Sequence, residues 1–381
     1  MIRPVVVLGA TGSIGTQTLE VADHLGYPVV GIAARDPSPG LAEIAGRYPD
    51  ARIAVAGGSG DERDSFGVMV GRKVEFDAGA VVDLAAMPGV IVVNGVVGSA
   101  GLRATVAALE VGNRVALANK ESMVAGGPVV KAALASGGGE LIPVDSEHSA
   151  LSQCLAGERA EDVARLILTA SGGPFRGRDR ASLEDVTPEE ALRHPTWDMG
   201  RRITIDSATL FNKGLEMIEA HFLFDVPFDA IDVVIHPQSV LHSAVEFVDG
   251  SWKGHFGFPD MRIPIQYALT APARAPLPLD RFSLAGLDLS FEDPDRDTFP
   301  ALDLAFAAGR RGGSSPAVLN AADEVAVEGF LQSRLGFLGI AEVVAHALET
   351  VPWRPVPTVD SVLEADLEAR AVAAEIIAGS C

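Results

Sequence analysis

Short apolar runs closed by glycine or polar residues recur through the first 145 positions. Val5 to Leu8, Val29 to Ala34, Arg52 to Ala56, Val90 to Val93, Val115 to Ala118 and the start of Leu141 to Ala150 each fit a strand covered on both faces. Amphipathic stretches separate them, as in TQTLEVADHL after Gly15. This alternation predicts βα units and a doubly wound, Rossmann-like parallel sheet. After Gly157 the pattern changes. Leu166 to Ala170, 231–235 and 240–248 read as strands, and Leu215, Ile218, Phe222 and Leu223 form a helical stripe, which predicts an α+β region. Residues 271–300 are rich in proline and acids, and 301–381 show helical periodicity. The expected class is therefore α/β, in four parts. A Rossmann-like domain at 1–149 precedes an α+β domain at 150–275; a linker at 276–300 and a helical domain at 301–381 follow.

Candidate chemistry clusters where these elements end. Gly9, Gly12 and Gly15 stand between a strand and a helix, where glycines permit a tight turn and the helix N-terminus receives a pyrophosphate. Arg35 ends the next strand, at the position where an arginine accommodates the 2′-phosphate of NADP; Asp36 beside it pulls toward NAD. Asn119, Lys120 and Glu121 lie at a strand's carboxyl end, the ligand-binding edge of open α/β sheets. In LIPVDSEHSA an extended backbone would turn Asp145 and Glu147 to one side, where they repel unless a cation sits between them. Hard carboxylate oxygens suit magnesium or manganese; two solvated acids at a strand end are the alternative. Ser171, Gly172 and Gly173 form a second small-residue turn able to cradle an anion. Residues 176–193 are polar and read as mobile. His194, Trp197 and Gly200 fall in an irregular segment that suits a lid, or equally a loop anchored on the core. Asn212, Lys213 and Glu216 share one helix face. They form either a solvated ion pair or, with Ser207, a site for a metal and a phosphate.

Charge and composition narrow the class. A net charge of −21 repels nucleic acid and anionic membranes, while leaving room for a small anion held by a local basic cluster. Lys73, Lys120, Lys131, Lys213 and Lys253 are the only lysines in a chain that otherwise chooses arginine, and two of them fall in the motifs above. Cys154 and Cys381 are too few for a disulfide framework, and a reducing cytoplasm fits. No apolar tract is long enough to cross a membrane.

GATGSIG, LANKES, PVDSEH, SGGPF, HPTWDMGR, DSATLFNKGLE and HPQSVLHS occur in this order, and together the chain resembles the 1-deoxy-D-xylulose 5-phosphate reductoisomerase family over nearly its whole length. The resemblance implies a homodimeric, NADPH- and divalent-metal-dependent enzyme that forms 2-C-methyl-D-erythritol 4-phosphate for isoprenoid biosynthesis. It implies Asp145, Glu147 and Glu216 as metal ligands, and Lys120, Glu147 and His194 as the groups nearest the chemistry. Ser146, Ser171, His194, Trp197, Ser207, Asn212 and Lys213 would hold the substrate. Thr11, Gly12, Ser13, Ile14, Asn119, Glu121 and Gly200 match cofactor contacts, and the segment near 193–201 matches the family's flap. Asp36 and Pro37 depart from the family, which commonly has a basic residue and an asparagine there. A semialdehyde-type dehydrogenase would need a cysteine nucleophile, for which Cys154 is the internal candidate. A non-catalytic NADP sensor would have no use for three converging carboxylates.

Overall fold

The computed structural model describes residues 2–197 and 199–379; Asp198 of the flap segment and Cys381 lie outside the described residues. The chain forms two compact units. One comprises Met1–Ser122, Val129–Ser149 and Asp260–Asp280; the other comprises Met123–Pro128, Ala150–Pro259 and Arg281–Cys381.

The first unit is built on strands β1 (Val5–Leu8), β2 (Val29–Ala34), β3 (Arg52–Val55), β4 (Glu75–Phe76), β5 (Ile91–Asn94), β6 (Arg114–Leu117) and β7 (Glu140–Pro143). All pair in parallel, in the order β4-β3-β2-β1-β5-β6-β7. Strand order reverses beside β1, so the turns after β1 and β5 frame the crevice in which doubly wound sheets bind ligands. Val5, Val7, Ile32, Ile53, Ile91 and Val93 are buried and make the core of this unit. The uninterrupted apolar strands of the sequence reflect that two-sided burial. β4 escaped the sequence pattern because two residues carry no period.

Helix Arg262–Thr270 returns to this unit, although the sequence pattern assigns it to the catalytic region. Its Ile265, Ala268 and Leu269 join the core of the first sheet, and Arg114 donates to the carbonyls of Leu269 (3.2 Å) and Ala271 (2.9 Å). An amphipathic stripe shows that a helix needs a core, not which core.

The second unit contains β8 (Val163–Ala170), β9 (Ile231–Ile235), β10 (Leu241–Phe247) and β11 (Trp252–Phe256), ordered β11-β10-β8-β9. β8 and β9 are parallel, whereas β10 runs antiparallel to β8 and β11. β11 was not foreseen: as an edge strand it exposes Trp252 and Phe256 and lacks a buried face to mark it. Phe211, Leu215 and Ile218 share one continuous core with Phe330, Val344, Ala373 and Ile377. The C-terminal helices therefore extend the hydrophobic core of the second unit. The polar stretch 176–193 carries a 3₁₀ turn, Ala181–Leu183, and a short helix, Pro188–Ala191, closed by a Thr187/Glu190 capping box. No helix among the described residues is long and apolar enough to cross a membrane.

Candidate active-site groups of the two units

In the first unit, β1 runs into Gly9, whose φ of +82° suits glycine. A Cβ at Gly9 would lie 2.6 Å from the carbonyl oxygen of Gly95, so only glycine lets the turns after β1 and β5 meet. Gly12 is the N-cap of helix Ser13–Leu25 and supplies no side-chain cap. Thr11, Gly12 and Ser13 are exposed, and Ile14 is half-buried. The helix N-terminus thus presents backbone N–H groups and its positive dipole end to an anion. Arg35 directly follows β2 with its side chain 89% exposed, and its Nε donates to Asp36 Oδ2 at 2.7 Å. Asp36 therefore holds the guanidinium through one nitrogen, where solvent exposure makes the pair weak.

Asn119 follows β6 and caps helix Lys120–Gly137, its Oδ1 accepting from the Ser122 N–H at 3.2 Å. Its Nδ2 donates to the carbonyls of Val96 (2.7 Å) and Gly98 (2.9 Å) and to Glu121 Oε2 (2.9 Å). Glu121 Oε1 accepts from the Gly98 N–H at 3.0 Å. Asn119 and Glu121 thereby pin the turn after β5 from below.

The backbone around Asp145 differs from the sequence expectation. β7 ends at Pro143, and helix Ser146–Leu155 begins just after Asp145, whose carbonyl accepts from the Ser149 N–H at 2.8 Å. Glu147 lies in the first helical turn and accepts from Ser146 Oγ at 2.5 Å. The two acids do not lie along an extended strand, so alternation gives no reason for them to face one way. D-S-E-H reads instead as a helix start, where acids complement the dipole. Lys120 Nζ lies 2.7 Å from Asp145 Oδ2, with only 9% and 12% of the two side chains exposed. β6 and β7 are parallel neighbours, so the residues after them emerge side by side. His148, not singled out by sequence reasoning, is fully buried with Nδ1 4.0 Å from Asp145 Oδ2. Its spacing of three from Asp145 was the available signal.

In the second unit, β8 delivers Ser171 to a turn in which Gly172 and Gly173 both have positive φ. His194 Nε2 lies 3.0 Å from Ser171 Oγ and 3.1 Å from Ser207 Oγ. His194 Nδ1 accepts from the N–H groups of Thr196 (3.1 Å) and Trp197 (2.9 Å). That assigns the proton to Nε2 in a neutral ring. Burial agrees, pushing the His194 pKa below the ordinary histidine value. The Trp197 ring lies 6.4 Å from that of His242. The described residues between Ala191 and Arg201 form neither helix nor strand, as the aperiodic sequence suggests.

Gly200 is the N-cap of helix Arg201–Thr209. Leu210, at φ +67°, then breaks the chain into helix Phe211–Phe224. Here Asn212 Nδ2 donates to Glu216 Oε1 at 2.6 Å, and Lys213 Nζ pairs with Glu216 Oε2. Lys213 and Glu216 are 3% and 1% exposed. That excludes the solvated-pair reading and leaves a carboxylate met by two donors in a nearly dry setting. A cavity of about 460 Å³ opens beside Ser171 and is lined by Arg176, Arg178 and Arg193 with a single acid among the described residues, Glu190. Cys154 is buried among Leu151, Leu166 and Met217, as a core residue would be.

Three family profiles match: 1-deoxy-D-xylulose 5-phosphate reductoisomerase over residues 5–127, its C-terminal domain over 141–224, and a DXP reductoisomerase C-terminal domain over 256–372. A 1-deoxy-D-xylulose 5-phosphate reductoisomerase of Caulobacter vibrioides is 49% identical over 387 residues, covering 99% of this chain and 97% of the relative. One from Thermus thermophilus is 49% identical over 368 residues, covering 97% and 98%. The solved structure of the Zymomonas mobilis enzyme in complex with NADPH superposes with a TM-score of 0.91 at 41% identity, covering 99% of each chain. A crystal structure of DOX-P reductoisomerase in complex with NADPH, fosmidomycin and magnesium superposes at 0.90 with 34% identity, covering 98% of each.

Proposed function

The chain belongs to the 1-deoxy-D-xylulose 5-phosphate reductoisomerase family, and on that premise we propose how its own side chains carry the family's reaction. That reaction is the metal- and NADPH-dependent rearrangement and reduction of 1-deoxy-D-xylulose 5-phosphate to 2-C-methyl-D-erythritol 4-phosphate, a step toward isoprenoid precursors.

The observation that carries the residue assignment is the dry cluster of Asn212, Lys213 and Glu216, following a helix whose Ser207 meets His194 and Ser171. Ser171, His194, Ser207, Asn212 and Lys213 hold the substrate's phosphate. Neutral His194 donates from Nε2, the two serines donate hydroxyls, and Lys213 supplies the full charge. The phosphate is then a remote handle for the substrate, and Lys120, Ser146 and Glu147 are the groups that the family's pattern assigns to its reacting end. Asp145, Glu147 and Glu216 fit a hard divalent cation such as magnesium or manganese. They offer carboxylate oxygens, and Lys120 and Lys213 lie against Asp145 and Glu216. When bound, the metal polarises the substrate's oxygens and stabilises negative charge on them. Lys120 sets its Nζ at the carboxyl end of β6, beside the reacting carbons. Trp197 and its flap cover the substrate and exclude water.

The glycine turn fits a dinucleotide, since Cβ atoms at Gly9 and Gly15 would run into backbone and Gly12 leaves the helix N-terminus uncapped by any side chain. NADPH supplies the hydride that completes the reduction. Thr11, Gly12, Ser13 and Ile14 receive its pyrophosphate, Arg35 its 2′-phosphate, and Asn119, Glu121 and Gly200 its nicotinamide half. A homodimer formed in part through the exposed edge strand β11, with Trp252 and Phe256, agrees with the apolar surface there. The four-part domain plan is retained as a functional division within the two compact units.

The test is NADPH oxidation on addition of 1-deoxy-D-xylulose 5-phosphate, with magnesium and then with a chelator. Turnover should require the metal. Full activity under chelation, or none with magnesium, would sink the assignment.

A further inference from the structure

Helix Arg201–Thr209 carries a second set of polar groups that the chemistry above leaves unused. Arg202 and Asp206 are four apart and so share a face. Arg202 Nη1 donates to Glu324 Oε1 at 2.9 Å, and Nη2 donates to Asn320 Oδ1 at 3.0 Å. Nη2 also reaches Asp323 Oδ2 at 3.4 Å, and Nε lies 3.5 Å from Asp206 Oδ2. Asn320, Asp323 and Glu324 belong to helix Ser315–Leu331. Behind them Arg370, from helix Val359–Gly379, donates to Glu324 Oε2 at 2.5 Å and to Asp366 Oδ2 at 2.6 Å.

Two guanidinium groups thus face four carboxylates, and Asp323 is fully buried. Desolvation and repulsion from Asp206 raise the Asp323 pKa well above the usual carboxylate range. Burying such a cluster costs more than packing leucines of similar volume, and its best-attested return is a unique register between the elements it joins.

Ser207 follows Asp206 directly, and the end of this helix packs against the turn after β8: a Cβ at Gly173 would lie 2.7 Å from the Ser207 carbonyl oxygen. Next comes Leu210, buried in the left-handed region, which persists only where its surroundings over-determine it. Rotating the helix by ~20° about its axis would move the Ser207 hydroxyl by roughly 1 Å. A shift of that size at a positioning group is enough to weaken binding severalfold.

We propose that Arg202 is a positioning residue: its fork onto Asn320, Asp323 and Glu324 sets the register of helix Arg201–Thr209. Through that helix it sets Ser207 and the start of the Asn212–Glu216 turn that grips the phosphate. The inference rests on the substrate reading above. Arg370 belongs to the same cluster but touches only the C-terminal helices, so it provides the control. Arg202→Lys and Arg370→Lys each keep the charge and lose the fork.

In steady-state assays with wild-type enzyme alongside, Arg202→Lys should raise the KM for the phosphorylated substrate at least about fivefold with kcat within about twofold. Arg370→Lys should leave that KM within about twofold of wild type even where its melting temperature falls as far. An unchanged KM in Arg202→Lys, or an equal rise in Arg370→Lys, overturns the strut while the function stands. Absence of wild-type turnover takes down both.

Discussion

Two lysine–carboxylate pairs, one in each unit and both largely shielded from water, were reached by different routes. Lys213 and Glu216 sit three apart on one helix, so their meeting is dictated by helical geometry alone. Lys120 and Asp145 lie far apart in sequence and meet because β6 and β7 are parallel neighbours in the seven-stranded sheet. The local pair is also the drier, its side chains 4% and 1% exposed against 9% and 12% for the side chains of the other. The contrast teaches that spacing can bring two charges together without saying whether they are in water, whereas strand order supplies both facts at once. Burial turns an ordinary helix salt bridge, worth a few tenths of a kcal/mol, into a charge pair held out of water, which is costly to break.

Glu216→Gln should produce the largest effect. Removing one carboxylate while keeping its shape weakens metal-assisted polarisation, worth several kcal/mol, so kcat should fall by roughly a thousandfold with NADPH affinity nearly unchanged. Cofactor titration by fluorescence separates the two, and wild-type turnover would return Glu216 to a purely structural role.

Lys213→Ala should come next. Loss of a charge-assisted hydrogen bond to phosphate, worth about 1.5–3 kcal/mol, should raise substrate KM about ten- to hundredfold and leave the metal requirement intact. A KM that stays put would mean that the local pair is only a buried brace.

Asp323 sharpens the comparison from the opposite side, since it is buried against a like charge rather than a lysine. A carboxyl whose folded pKa is raised binds its proton more tightly in the native state. Native stability should therefore decline as pH climbs from the ordinary carboxylate range through the raised pKa. Asp323→Asn keeps the hydrogen-bonding shape without the charge, so it should flatten that decline and gain on wild type across the same window. Melting curves against pH read this as a few degrees, roughly 2–4 °C per kcal/mol. A variant that loses ground as pH rises would reverse the sign.

Arg35→Ala should have the smallest effect. The Arg35–Asp36 pair is exposed and adjacent in sequence, the limit in which neither fold nor burial adds anything. kcat/KM for NADPH should drop severalfold, below the loss of a buried anchor, and that for NADH should hold. Equal losses for both cofactors would show that Arg35 does not read the 2′-phosphate.

The strands were readable where burial on both sides left no polar residue to confuse the period: β1 and β2 run as their apolar runs do. The glycine turn after β1 was readable because its constraint is a backbone one, imposed within a few residues. The face shared by Asn212, Lys213 and Glu216 followed from helical spacing in the same way. Asp145 and Glu147 were singled out on the premise of an extended backbone, which the structure does not have there. The strand ends two residues before Asp145, and a helix start carries them.

Other features were out of reach of any local pattern. The joining of Ser171, His194 and Ser207 depends on a turn, an aperiodic loop and a helix from separate stretches. So does the grip of Arg202 on Asn320, Asp323 and Glu324, more than a hundred residues onward. Backbone preference acts over one to four residues, and the sequence states it outright. Burial, strand order and which core a helix joins arise from the whole chain competing for the same apolar interior, and those only the tertiary structure decided.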